Sequence, residues 1–135
     1  MTKFGQIFSA LFILRLAFGI NMLMHGLVRL PKLNTFVSKM AAGFADTLLP
    51  ETLVRHFLLI LPFLELSAGL LLLIGGKAGR YGFALSGLLL AALLFGTTLK
   101  EDWNTAGTQM IYVLAAAYGL SLYAQPENKN NNYTS

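Results

Sequence analysis

Six polar or charged side chains stand inside stretches apolar enough to cross a membrane: Arg15, Asn21 and His25 in the first, Glu65 in the second, Gln109 and Tyr112 in the last. A charge at the bilayer centre costs from about 3 to more than 10 kcal/mol, so a midspan arginine or carboxylate needs a counter-charge or a use. Histidine is the side chain whose charge changes nearest neutral pH. A carboxylate and an imidazole beside a lipid-accessible apolar pocket could exchange protons with a quinone, whose reduction couples electrons to protons.

Depth decides which of these groups can meet. In an antiparallel pair joined near Val28 and Leu53, Arg15 lies about 20 Å below that shared end and Glu65 about 18 Å. This register predicts an Arg15–Glu65 ion pair near the midplane, as the desolvation cost demands. The pair reads either as a staple between the first two spans or, with Glu65 as the active member, as a proton-handling or ligand-binding carboxylate. Asn21 and His25 are four residues apart and share a helix face, at about 10 and 5 Å below the same end. Gln109 and Tyr112 fall at about 6 and 10 Å from theirs. If these faces point inward, Asn21, His25, Glu65, Gln109 and Tyr112 line one ligand pocket, with Lys32 and Trp103 at its mouth, where each could also contact a partner. Trp103 and Tyr123 also suit ordinary interfacial anchoring. His56, beside Arg55, reads as an interface residue. A bis-histidine haem would need His25 and His56 at matching depth inside the bundle, a weaker reading.

The elements that must position these groups follow from hydropathy. The run 7–28 is 22 residues, long enough to cross about 30 Å of hydrocarbon, and its internal Arg15 and Asn21 mark it as a retained span, not a signal peptide. Further spans read at about 53–75, 80–99 and 105–124, all within one membrane domain, 1–125. Between the first two, Leu33, Phe36, Val37, Met40, Ala41 and Phe44 recur at helical spacing. They predict a short amphipathic helix at the interface or over the mouth of the bundle, with Pro31 and Pro50 as breaks. The turn GGKAGRYG is compact and basic, and lacks the strand context of a phosphate loop. The tail 126–135 is polar, low in complexity and expected to be disordered. Four spans with short links make an all-α, integral-membrane, up-down-up-down four-helix bundle.

Composition sets the same limits. The 135 residues are 56% hydrophobic and 12% charged, about half the charged share of a soluble domain. The absence of cysteine excludes disulfides and thiolate ligands, and two histidines with six carboxylates leave no evident metal site. The net charge of +4 comes from basic residues scattered singly around spans, which argues for a lipid bilayer and against nucleic acid as partner. Lys77 and Arg80 in the tight turn favour cytoplasmic termini.

The run R-L-A-F-G-x-x-x-L-x-H-G-L-x-x-L-x-K from Arg15, with Pro50 before the second span, the midspan E-L-x-x-G-L-L-L-L-I-G from Glu65, and Arg80 after it, resembles the DoxX family of small bacterial membrane proteins. The resemblance covers about Leu14 to Gly82 and fades in the last two spans. It implies a four-helix protein of the bacterial inner membrane, with Arg15, His25, Gly26, Lys32 and Glu65 as the family-patterned residues. It also implies association with membrane oxidoreductase subunits. No cofactor motif is evident, and quinone is the ligand these readings suggest. Three functions follow: a quinone-associated accessory subunit, a scaffold or assembly factor without ligand, and, weakest, a small transporter, which four spans could form only as a homo-oligomer.

Overall fold

Ser9 starts the first helix: its hydroxyl accepts the Phe12 amide hydrogen at 3.1 Å, satisfying one of the helix's orphan donors. The computed structural model describes residues 9–125. Within them the chain forms α1 (Ala10–Arg29), a 3₁₀ turn (Leu30–Lys32), α2 (Leu33–Ala42), α3 (Glu51–Ile74), α4 (Gly76–Leu99) and α5 (Trp103–Ala124), with no strand. The start of the first span at Ile7 and the polar tail lie outside the described residues.

Pro31 does not break the first helix. It sits in the first turn of the 3₁₀ segment, where a missing amide hydrogen removes no helical bond. The backbone bends at Lys32 (φ −125°, ψ 33°) and stays helical to Ala42. The turn to the second span is therefore at 43–50, and not at Arg29–Pro31. Helix α2 is amphipathic as its spacing predicts. Val37 and Ala41 are buried, and Phe36, Met40 and Phe44 pack against the core. Its contact is with α3.

Gly75 (φ 81°) and Gly76 (φ 54°) make the tight α3–α4 turn in a region that L side chains rarely enter. Asp102 caps α5, accepting the Thr105 amide hydrogen at 3.1 Å and its hydroxyl at 2.7 Å.

The helices pack in chain order: α1 on α3, α3 on α4, α4 on α5, with α1 touching α4 and α5 only lightly. Phe83, Leu61, Leu72, Pro62 and Ser86 are fully buried at the centre. Three stretches are long and apolar enough to cross a membrane: Ala10–Ala42, Glu51–Ile74 and Gly76–Leu99. Ile13, Ile20, Phe63, Leu88 and Phe95 project outward from them, which is the surface a bilayer covers. The 22 residues of α5 reach about 33 Å, but Asn104, Thr105, Thr108 and Gln109 dilute its first two turns and it falls outside that set. The whole is an all-α, membrane-type four-helix bundle, with α1 and α2 counted as one bent rod.

Candidate functional site

The buried carboxylate finds a different arginine. Glu65, 3% exposed, accepts from Arg29 Nη1 at 2.6 and 2.5 Å. The Arg29 guanidinium carbon lies 4.7 Å from the Phe36 ring centroid, so the pair is closed on its outer side by an aromatic face. The expected Arg15–Glu65 pair is not formed. Arg15 and Arg29 lie on the same face of the first helix, fourteen residues or about 21 Å apart, and register chooses between them.

Glycines set that register. A Cβ at Gly26 would stand 2.5 Å from the Pro62 carbonyl oxygen and 2.8 Å from the Leu66 nitrogen, and one at Gly69 would strike the Leu23 backbone. Only glycine at these two positions lets the α1 and α3 backbones touch. The contact puts Arg29 beside Glu65 and carries Arg15 to the α3–α4 turn. There its guanidinium lies against Gly75 and its chain against Gly79, close to the Tyr123 hydroxyl. Arg15 also stacks on Phe12, 5.7 Å from the ring centroid.

The bent helical rod moves Asn21 and His25 away from the mouth, since it continues past them through the 3₁₀ turn to Ala42. His25 is exposed and its Nδ1–H donates to the Asn21 carbonyl at 2.8 Å. Neither residue lines the cavity that Gln109 borders. Tyr112 is half-buried against Phe18, ring centroids 6.3 Å apart, as part of the core. His56 likewise donates to its own helix, at the Thr52 carbonyl, 2.6 Å. Lys32 and Trp103 are both exposed. Of the five expected pocket residues, Gln109 alone lines the mouth cavity, and Asn21, His25, Glu65 and Tyr112 do not.

That cavity, of about 530 Å³, lies where α2, the start of α3, the end of α4 and the start of α5 meet. It has the volume of a small-molecule site. Met40, Phe44, Val54, Phe57, Leu93 and Gly96 make its apolar wall, and Lys100, Asp102, Thr105 and Gln109 supply its polar side. The side-chain oxygen of Gln109 is buried without a hydrogen-bond partner, a state that costs free energy until something fills it. Lys100 Nζ stands 4.9 Å from the Phe44 ring centroid, at the rim. Beside it, hydrogen bonds from the Thr105 hydroxyl and amide, and then the Lys100 charge, hold the Asp102 carboxyl below its ordinary value of 3.8. One apolar wall and one polar edge can hold a molecule with an apolar body and a polar head.

Lys100 and Leu93 carry this cavity with Phe44 and escape a sequence reading. Phe44 is legible there as a member of the amphipathic stripe. The one available signal is that Gly96 and Thr97 interrupt an apolar run opposite Phe44. Among the described residues no group of three metal-ligating side chains comes together. Compared with protein-family models, with curated proteins and with solved structures, the chain matches none.

Proposed function

We propose that this chain is an integral membrane protein that holds a quinone-like amphipathic molecule in the mouth cavity and serves as an accessory subunit of a membrane oxidoreductase system. The observation that carries the reading is the apolar cavity with the unpartnered Gln109 oxygen in its wall. The resemblance of about Leu14 to Gly82 to the DoxX family points the same way. In this reading α5 is a fourth span, since it packs along α4 and exposes Ile111, Leu114 and Tyr118. The membrane is the bacterial inner membrane, with both termini cytoplasmic beside Lys77 and Arg80. The cavity, with no cofactor-binding motif around it, serves to hold or deliver the quinone, and electron transfer belongs to a partner.

The test is to purify the protein from its native membrane in mild detergent, extract it with organic solvent and identify lipids by mass spectrometry. A quinone near one per chain, and a higher Tm on adding a short-tailed quinone, support the reading. No quinone and no shift overturn it. A second reading, a scaffold without ligand, draws on the Arg29–Glu65 pair. Closed by Phe36, it has the form of a staple and leaves no carboxylate free for chemistry at midspan. That reading expects an empty extract and a co-purifying membrane subunit.

A further inference from the structure

Among the described cations only Arg15 and Lys100 are half-buried without a carboxylate partner, and Arg15 lies against Gly75 at the α3–α4 turn whereas Lys100 lines the cavity. Arg29 is paired with Glu65, and Arg55 with Glu51. Lys32, Lys39, Lys77 and Arg80 are exposed. Lys100 is half-buried, lines the cavity, and has no carboxylate within ion-pair distance among the described residues. The Phe44 face satisfies its charge in part but offers its N–H groups no oxygen. Gln109 lines the same cavity with a buried oxygen and no partner. Its amide can both donate and accept.

Charge at the rim narrows the class of head group. Asp102 lies close enough to Lys100 for their charges to interact, and Glu101 stands exposed next to it. The rim as a whole therefore offers an anion no net attraction, while a neutral oxygen still gains a charge-assisted bond from the ammonium. Leu53 and Phe95 line the cavity and are 58% and 60% exposed, so the apolar end opens toward lipid between α3 and α4.

Resting on the reading of this cavity as a quinone-class site, we infer that Lys100 and Gln109 hold the head group, and that this head is a neutral ring carbonyl and not a carboxylate or phosphate. A quinone carbonyl accepts from Lys100. The hydroxyl of the reduced form donates to the Gln109 oxygen. The tail leaves past Leu53 and Phe95.

Trp103, the single tryptophan, opens α5 at this mouth and reports on it. The full chain in detergent is titrated with a decyl-substituted benzoquinone, following tryptophan quenching and Tm. Saturable quenching is expected. Lys100→Gln and Gln109→Leu each weaken binding about tenfold, whereas Lys100→Arg and the exposed control Lys39→Gln leave it near the parent value. Decanoate does not displace the quinone. Displacement by decanoate at similar concentration overturns the neutral head. Saturable binding unchanged in both Lys100→Gln and Gln109→Leu overturns the head placement while the quinone reading stands. Absence of both saturable quenching and a Tm shift removes the quinone reading and this inference together.

Discussion

Arg29 stands inside the bundle because Glu65 is there to receive it, with Phe36 over the guanidinium. Removing one partner of such a buried pair leaves an uncompensated charge and costs about 3–5 kcal/mol. Glu65→Ala and Arg29→Ala are therefore expected to lower Tm and accumulation in the membrane. The double reversal Arg29→Glu with Glu65→Arg recovers most of the loss, and Arg15→Glu with Glu65→Arg does not. Fluorescence-detected size exclusion of the tagged variants checks this. Recovery by the Arg15 pair alone would contradict the register. The sequence makes an arginine on this face legible, because Arg15, Gly19, Met22, Gly26, Arg29, Leu33, Phe36 and Met40 fall at alternating spacings of four and three. It does not tell which arginine meets Glu65. Both lie on the stripe, and the choice depends on where the turn to the next helix falls.

At the scale of elements, close backbone approach between α1 and α3 rests on glycine. Gly69→Ile drives a branched side chain into the Leu23 backbone, which no rotamer change relieves, and is expected to cost more than about 2 kcal/mol. Gly107, on α5, has open space around its Cβ position. Gly107→Ala should stabilise by about 0.5–1 kcal/mol through helix propensity. Thermal unfolding in detergent of the two variants side by side measures the contrast. The cap of α5 adds a pH dependence. The Asp102 carboxyl is held below 3.8 by Thr105, so its folded value lies under its unfolded one. The capping contribution is full above the unfolded value and is lost as pH falls through the folded value. Hydrogen-exchange protection at Thr105 and Ala106 should drop as pH falls below the unfolded value of 3.8, and Asp102→Asn, which still caps, should remove that pH dependence. The amphipathic spacing of α2 was legible, as were the helices of the bundle. Its placement along α3 was not, because Pro31 reads as a break and in the first turn of a helix it is none.

The whole molecule is an open ring of helices. α1 and α3, α3 and α4, and α4 and α5 pack firmly, and α1 meets α5 lightly. The polar groups that look like one pocket in sequence are spread over its length: Arg15 at the turn, Asn21 half-buried and His25 exposed farther along α1, Arg29–Glu65 at midspan, and Gln109 at the mouth. The last borders a cavity walled by residues from four elements that no spacing pattern connects. Fold class was legible because hydropathy and helix length settle it locally. The site was not, since it depends on how those helices are offset along one another. The central claim, that a quinone-like molecule occupies the mouth cavity, is tested most directly by filling it. Leu93→Trp places a larger ring on the cavity wall at a half-buried position. Parent and variant are purified in parallel and their extracts analysed by mass spectrometry at matched Tm. The account predicts a quinone in the parent and its loss in Leu93→Trp. Equal quinone in both, or none in either, would contradict it.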